Sequence, residues 1–247
     1  MRQAFTGCGT ALVTPFLKGG ALDEAGVRRL ARRQIDAGIH FLVPCGTTGE
    51  TPTLSDEERL RVVEIVVDEA HGQVPVLAGA GGYNTAEVAG AAKRMARAGA
   101  DGILSVAPYY SKPTPEGLFQ HYTAIAGEVA IPVIVYNVPG RTGVNVDVAT
   151  VVRLAEVPNI AGVKEASGNV TQMCEICRAV PPDFIVLSGD DALTLPLMAI
   201  GGRGIISVAG NEIPAEMVQM VEAAERNDFA AARAVQDRKS TRLNSSH

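Results

Sequence analysis

Lys164 is the residue of this sequence whose type and position most clearly suggest chemistry. It directly follows the apolar run 160–163, which is typical of a buried strand, and it precedes Glu165. A charged amine in this place implies that the amine is needed there. A lysine that is partly removed from water loses its proton more easily, and its neutral amine can attack a ketone to form a Schiff base. The structural alternative is a lysine that extends from the strand end to solvent.

Other polar residues collect where further apolar runs end. The segment 46–50 reads Gly-Thr-Thr-Gly-Glu and is either a simple turn or a nest of N–H groups and hydroxyls that binds a carboxylate. Tyr136 taken alone is best explained as an interior aromatic residue, and Arg141 as one partner of a surface ion pair. Asp190 and Asp191 are most simply negative charges at the start of a helix. No single one of these residues decides the function, but their shared position makes them candidates together.

Eight apolar, β-branched runs predict the strands that position these residues. Stretches with helical character separate the runs, which recur roughly every 20–35 residues, as repeated βα units do. Such continuous apolar strands indicate a parallel sheet that is covered by helices, and eight units favour a closed (β/α)8 TIM barrel. An open doubly wound sheet would need a Gly-x-Gly-x-x-Gly segment after its first strand, and Pro15 and Phe16 stand there instead. The runs are 10–14, 41–44, 74–78, 102–106, 133–136, 160–163, 184–187 and 204–208.

Start and stop signals predict the helices between the strands. Ser55 and Glu58 have the spacing of a capping box, in which each residue bonds the backbone N–H of the other. Gly38 and Gly99 follow two helices at the point where a left-handed residue is favoured. Four further residues can accept hydrogen bonds from the first turn of a helix, namely Asp23, Asn84, Asp147 and Asn169.

Composition and charge exclude several functional classes. The chain has 247 residues, a formal charge of −5 and 4% aromatic residues, so a nucleic-acid partner is not expected. No apolar run approaches the roughly 20 residues of a membrane helix, and the N-terminus lacks the layout of a signal peptide. Cys174 and Cys177 form a lone C-x-x-C without a second pair, and we interpret all four cysteines as reduced structural thiols. We therefore expect a cytoplasmic protein.

The charges also discriminate among the reactions that barrels perform. Phosphate-binding barrels usually hold the phosphate at the loops after strands 7 and 8, but here Asp190 and Asp191 would repel it. Metal-dependent aldol chemistry needs histidine and carboxylate ligands, and none of the four histidines ends a predicted strand. The sequence therefore predicts no metal site, and a Schiff-base lysine needs none.

Three segments resemble a known family. They are 46–50 (Gly-Thr-Thr-Gly-Glu), 136–142 (Tyr-Asn-Val-Pro-Gly-Arg-Thr) and 162–165 (Gly-Val-Lys-Glu), which are similar to the signatures of the dihydrodipicolinate synthase / N-acetylneuraminate lyase family of pyruvate-dependent class I aldolases. The resemblance covers about residues 4–236 and is specific, because the three motifs occur in order at a spacing that suits a barrel.

The resemblance implies a role for each matching residue. Lys164 would form a Schiff base with pyruvate without a cofactor, and Tyr136 would be the general acid/base beside it. Thr47 and Tyr110 would complete a hydroxyl relay, with Tyr110 reaching into the site of a neighbouring subunit. Thr47 and Thr48 would hold the pyruvate carboxylate.

The remaining implied roles concern the second substrate and the assembly. Arg141 would bind the carboxylate of L-aspartate 4-semialdehyde, while Gly189 and Ile206 would line the pocket through their backbone. The implied reaction yields 4-hydroxy-tetrahydrodipicolinate for lysine and diaminopimelate biosynthesis, in a homo-oligomer that is a dimer of dimers. Tyr83 and Arg59 stand where lysine-inhibited members often carry Asn and His, which disfavours feedback inhibition although Tyr109 and Glu87 match that site.

Two alternatives remain open. One is another aldolase or lyase of the same family that acts on a sugar acid or a related 2-oxo acid. Arg141 argues against it, because a short acidic aldehyde needs a cation whereas polyhydroxy substrates prefer neutral groups. The other alternative is an inactive member that serves as a binding or assembly protein, and the presence of Lys164, Tyr136, Thr47 and Tyr110 argues against that.

The end of the sequence differs from the rest. Residues 1–226 are predicted to form the barrel, and 227–236 to begin a C-terminal helical segment that family members continue with several helices. Residues 237–247 lack apolar periodicity and resemble a cloning or sequencing scar, so we expect them to be a non-native tail. We expect the exposed apolar surface to lower stability and weaken assembly, which light scattering at low concentration would reveal.

Overall fold

Eight parallel strands alternate with helices in this protein. The structure, a computed structural model, describes residues 2–244, with side chains from Ala4 to Asp237. The strands are β1 Gly7–Ala11, β2 Phe41–Val43, β3 Leu77–Gly79, β4 Gly102–Val106, β5 Val133–Asn137, β6 Ile160–Glu165, β7 Ile185–Ser188 and β8 Gly204–Ser207. The helices are α1 Glu24–Asp36, α2 Asp56–Ala70, α3 Thr85–Arg97, α4 Pro115–Glu128, α5 Pro139–Thr142, α6 Val148–Ala155, α7 Val170–Ala179, α8 Thr194–Ala199, α9 Pro214–Glu225 and α10 Phe229–Asn244.

The sheet closes on itself. Its strand order is β2-β1-β8-β7-β6-β5-β4-β3, so β2 and β3 are the two ends. An isolated parallel bridge between Leu42 and Val76 joins these ends, and the N–H of Gly79 donates to the carbonyl of Pro44 at 2.9 Å. The predicted (β/α)8 barrel is therefore confirmed.

Strand β1 is the element whose predicted position differs most from the observed one. The sequence predicts residues 10–14, whereas β1 spans Gly7–Ala11 and pairs with β8 from Gly7 to Thr10. A Cβ atom on Gly9 would lie 2.2 Å from the Phe41 ring, so glycine is required for that ring to pack against the strand. The glycines that make this packing possible also interrupt the apolar pattern from which the strand would be predicted.

Helix starts follow the sequence signals. The Ser55 hydroxyl accepts from the N–H of Glu58 at 3.2 Å, and the Glu58 carboxylate accepts from the N–H of Ser55 at 2.8 Å, which confirms the capping box. Gly38 and Gly99 have φ of 84° and 95°, as left-handed residues after a helix do. The other four predicted caps are also confirmed, with side chains that accept from backbone N–H groups: Asp23, Asn84, Asp147 and Asn169.

Apolar side chains form two layers. The interior of the barrel is filled by residues from all the strands, among them Phe41, Leu77, Ile134 and Ile206, which are fully buried. The larger layer lies between the strands and the helices. Because burying a polar group is costly, polar side chains inside the barrel require a specific explanation.

The C-terminal segment forms helix α10. Ala232 and Val235 of this helix are buried. The backbone of the expected non-native tail continues α10 to Asn244, and residues 245–247 lie outside the described part of the chain. The origin of residues 237–247 stays a prediction. Among residues 2–244, none of the helices is both long and apolar enough to span a membrane.

His121 makes the stability of this fold depend on pH. Its ring on α4 is 3% exposed, and Nδ1 lies 2.8 Å from the Thr85 hydroxyl. Burial lowers the pKa of His121 to about 4. The unfolded chain therefore binds a proton below about pH 6.5, whereas the folded protein does so only near pH 4. We expect the free energy of unfolding to fall by about 2 kcal/mol between pH 7 and pH 5.

Urea unfolding at the two pH values measures this effect. His121→Phe should remove most of the difference between pH 7 and pH 5. His71→Asn is the control, because His71 is exposed and left-handed at the end of α2, where asparagine is tolerated. An unchanged pH dependence in His121→Phe would show that other groups cause it.

Candidate functional site

Lys164 lies inside strand β6 and is almost fully buried. Its side chain is 5% exposed, and its backbone pairs with Tyr136 of β5 and Leu187 of β7. The amine Nζ lies 4.0 Å from the centroid of the Tyr136 ring. The two side chains are neighbours because adjacent strands place paired residues on the same face of the sheet.

The surroundings of Lys164 favour the neutral amine. Burial lowers its pKa to about 7, the charge of Asp191 raises it, and Arg141 lowers it. At neutral pH a large fraction of the amine is therefore deprotonated and carries a free lone pair. An amine in this state is a nucleophile for carbonyl carbon.

Tyr136 shares this environment with a hydroxyl partner. Burial raises the pKa of Tyr136, whereas the charge of Arg141 and a hydrogen bond with the Thr47 hydroxyl lower it. The side chain is 7% exposed and lines a cavity of about 300 Å³. The hydroxyl can therefore exchange a proton with Thr47 next to the amine.

The loop that carries Thr47 is held in a strained turn. Cys45 and Glu50 have φ of 57° and 52°, which non-glycine residues rarely adopt. The Thr51 hydroxyl donates to the carbonyls of Cys45 and Gly46 at 2.6 and 2.8 Å. Backbone strain of this kind persists only where the surroundings fix it, and it is common at binding sites. Cys45 itself is a poor nucleophile, because burial raises its pKa to about 12.

Arg141 places a positive charge at the cavity, which Arg59 also lines. It lies on α5, which directly follows β5, and its side chain is exposed to solvent. Its charge lowers the pKa of both Tyr136 and Lys164. No ion-pair partner is recorded for Arg141 among the described side chains, so the surface ion pair considered above is not observed. The cavity lining includes Thr47, Arg59, Tyr109, Tyr136, Arg141 and Thr142.

Other predicted site residues lie around this cavity at different distances. Gly189 lies against Lys164, because a Cβ atom there would be 3.0 Å from Cε. Ile206 is fully buried in the barrel interior, and Thr48 is half-buried on the turn after Thr47. The residues that line the cavity do not include Thr48, Gly189, Ile206 or Lys164 itself.

Tyr110 is not brought to the cavity of its own chain. It is 90% exposed with a left-handed φ of 66°, although the neighbouring Tyr109 lines the cavity. A large aromatic residue with this exposure in a strained turn is suited to contact with another molecule. A role inside the same subunit is therefore not available to Tyr110 in this arrangement.

Glu165 belongs to one of the three motifs, but the sequence patterns assigned no role to it. It is fully buried on the face of β6 opposite Lys164, and its carboxylate accepts from Asn137 Nδ2 at 2.9 Å, Gln172 Nε2 at 3.1 Å and the Ser167 N–H at 2.6 Å. These bonds join the end of β5 to β6, α7 and the loop between them. The available signal was a second charged residue beside Lys164 in a strand that is buried on both faces.

Both aspartates lie at the start of the short helix Asp191–Leu193, as predicted, but their carboxylates bond different groups. The Asp190 carboxylate accepts from the N–H of Ala192 at 2.8 Å and caps the following turn. Asp191 instead bonds the loop after β8, through Ser207 Oγ at 2.5 Å and the Ala209 N–H at 3.0 Å. A sequence cannot show this difference, because the loop after β8 is distant in the chain.

In the described part of the chain, no group of side chains is assembled for metal binding or for thiol chemistry. Residues 2–244 contain no cluster of three His, Cys, Asp or Glu side chains that could hold a metal ion. Within the described residues, no disulfide is formed by Cys8, Cys45, Cys174 or Cys177.

Known proteins with the same arrangement are numerous. Of the curated relatives, 4-hydroxy-tetrahydrodipicolinate synthase of Koribacter versatilis (strain Ellin345) is 56% identical over 92% of this chain and 76% of its own length. The protein of that name from Chloroherpeton thalassium (strain ATCC 35110 / GB-78) is 51% identical over 95% of this chain and 78% of its own length. The crystal structure of dihydrodipicolinate synthase from Aquifex aeolicus superposes with a TM-score of 0.92 at 44% identity, covering 94% of this chain and 79% of that one.

A sequence model of one family matches nearly the whole chain. The match spans residues 4–245 and therefore includes the barrel, the lysine on β6 and the tyrosine on β5. With this match and relatives that are more than 50% identical, the protein belongs to the dihydrodipicolinate synthetase family.

Proposed function

We propose that this protein is a lyase that condenses pyruvate with L-aspartate 4-semialdehyde to give 4-hydroxy-tetrahydrodipicolinate, in the biosynthesis of diaminopimelate and lysine. The curated relatives carry the name of this synthase. The observation that carries the proposal is the buried amine of Lys164, with a pKa of about 7, 4.0 Å from the Tyr136 ring centroid.

Lys164 starts the reaction as a nucleophile. Its neutral amine attacks the C2 carbonyl of pyruvate, takes up one proton and releases water, which leaves an iminium on Nζ. The positive nitrogen withdraws electrons from the methyl group, so a methyl proton is removed and an enamine forms. The enamine carbon attacks the aldehyde carbon of the second substrate. The adduct then cyclises and Lys164 is released.

Tyr136 moves the protons of these steps. Thr47 lowers the pKa of its hydroxyl and Nζ lies 4.0 Å from its ring centroid, so we assign to it the protonation of the departing water and of the new alkoxide. A tyrosine with a raised pKa transfers protons poorly without partners. The Thr47 hydroxyl supplies the first partner, and Tyr110 from a second subunit the next, which makes the active form a homo-oligomer.

The carboxylates of the two substrates bind at different places. The turn Thr47–Gly49 offers hydroxyls and N–H groups to pyruvate, with Thr48 as the second hydroxyl. Arg141 binds the carboxylate of the aldehyde substrate from the solvent side of the cavity. Gly189 leaves room for the Lys164 side chain, and Ile206 closes the interior below it. The expected cytoplasmic location and the absence of nucleic-acid and membrane partners stay predictions.

Replacing Arg141 tests the choice of the second substrate. In Arg141→Ala we expect the KM for aspartate semialdehyde to rise about 10–100-fold, because a charged hydrogen bond contributes roughly 1.5–3 kcal/mol. The KM for pyruvate should change much less. Steady-state rates with both substrates, in the presence of the reductase that consumes the product, measure these constants.

The same assay separates the proposal from its rival. Arg153→Ala is the matched control, since Arg153 pairs with Glu116 outside the barrel. Faster turnover of sugar-derived aldehydes than of aspartate semialdehyde by the unchanged protein would favour an aldolase for sugar acids. Equal KM changes for both substrates in Arg141→Ala would contradict the assigned role of Arg141.

A further inference from the structure

The Asp191 carboxylate accepts hydrogen bonds from three donors. It lies in the loop after β7, and all three donors come from the end of β8 and the loop that follows: Ser207 Oγ at 2.5 Å, the Val208 N–H at 3.1 Å and the Ala209 N–H at 3.0 Å. The N–H of Gly210 in turn donates to Ser207 Oγ at 2.9 Å. A carboxylate held by three donors has little freedom to turn away.

These bonds cross a weakly paired seam of the barrel. The ladder between β7 and β8 contains the single pair Ser188 and Ile205, whereas β8 pairs with β1 over Gly7 to Thr10. Asp191 therefore helps to hold β7 and β8 together. Holding two strands does not by itself require a charge, since an amide oxygen can accept from the two backbone N–H groups while the amide nitrogen donates to Ser207 Oγ.

The charge acts on Lys164. The ring of Tyr136 on β5 lies against the amine, and the charges of Arg141 on α5 and Asp191 act on it, while β8 contributes no ionisable side chain. Arg141 adds positive potential at the amine, and Asp191 opposes it. Gly189, two residues before Asp191, lies against the Lys164 side chain, which places this loop beside the amine.

We propose that Asp191 is a positioning residue that acts through Lys164, as the fixed counter-ion of the cationic iminium formed there. This inference rests on the proposed Schiff-base function. The amine is neutral before it reacts, and it gains a permanent positive charge when the carbonyl carbon binds, one proton is taken up and water leaves. A buried cation beside Arg141 is unfavourable unless a negative group is already in place. The three donors keep that group in place.

Asp191→Asn is the direct test, because it removes the charge and retains the size. The first measurement needs no substrate: the rate at which acetic anhydride acylates Lys164, followed by peptide mass spectrometry as a function of pH. The midpoint of this profile should move downward by about one pH unit. The second measurement is trapping of the pyruvate adduct with borohydride, and the pyruvate concentration for half-maximal trapping should rise about 10-fold.

Two control variants separate the effect of the Asp191 charge from the effect of its hydrogen bonds between β7 and β8. Asp190→Asn changes the adjacent carboxylate, and Ser207→Ala removes one donor while Asp191 stays charged. Both should keep the acylation midpoint of the unchanged protein. If the acylation midpoint of Asp191→Asn equals that of Ser207→Ala, the proposal is wrong, since Asp191 would then only hold β7 and β8 together by hydrogen bonds.

A third variant covers the case in which Asp191→Asn does not fold. Asp191→Glu keeps the charge, and an acylation midpoint close to that of the unchanged protein supports the proposal, whereas a downward shift of about one unit refutes it. Failure of the proposed function is visible separately. If the unchanged protein traps pyruvate but does not use aspartate semialdehyde, the assigned second substrate is wrong and the counter-ion role of Asp191 stands. If it traps no pyruvate, both proposals are wrong.

Discussion

Replacing Lys164 with methionine is expected to lower kcat/KM by about 10⁴-fold or more, because the nucleophile of the covalent mechanism is lost. Methionine is similar in length to lysine and tolerates a buried apolar site, so the barrel should fold. With pyruvate and borohydride, the unchanged protein should gain one reduced adduct on Lys164, and the variant should gain none. Intact-protein and peptide mass spectrometry measure both results.

Lys93→Met is the control for this experiment. Lys93 pairs with Glu128 on the outside of the barrel, where its amine is charged and exposed. The control should trap pyruvate as the unchanged protein does. If folded Lys164→Met still forms the adduct, or if the unchanged protein forms it on another lysine, the Schiff-base assignment is wrong.

Gly79→Ala is expected to lower both stability and activity. A Cβ atom on Gly79 would lie 1.9 Å from the carbonyl oxygen of Cys45, a backbone atom that cannot rotate away. The substitution must therefore push apart β3 and the turn that carries Thr47. We expect a loss of about 3 kcal/mol in the free energy of unfolding, and about 100-fold in kcat/KM from displacement of the turn.

Gly46→Ala is the matched control for stability. Gly46 belongs to the same turn, but a Cβ atom there meets nothing within 4 Å, and its φ of −78° suits any residue. Urea unfolding should therefore show little change. Equal losses in the two variants would mean that the turn, rather than the close approach of β3, is sensitive to substitution.

The sequence was sufficient for the elements whose signals are local. The capping box at Ser55 lies within one turn of chain, and strand β4 matches its apolar run from Gly102 to Val106. Strand β1 was displaced by three residues, since its glycines are explained only by Phe41 on another strand. Local patterns carry no information about such distant neighbours.

The same distinction applies to the candidate site. Lys164 was found because a lysine contrasts with the apolar run before it. The roles of Glu165 and Asp191 depend on partners that the fold brings together, such as Gln172 for the former and Ser207 for the latter. Their geometry could not be predicted without the barrel. The exposure of Tyr110 likewise depends on the conformation of its turn.

The pairing of Tyr136 with Lys164 in the ladder between β5 and β6 has a consequence for how this protein can change over evolution. The two groups that we propose to handle the first substrate are fixed in register by main-chain hydrogen bonds, and no loop can move one relative to the other. Arg141 lies on the short helix α5 outside that ladder. With the proposed roles, substitution in α5 can alter which aldehyde is accepted while the residues that activate pyruvate stay in place, so new specificities are accessible without rebuilding the barrel.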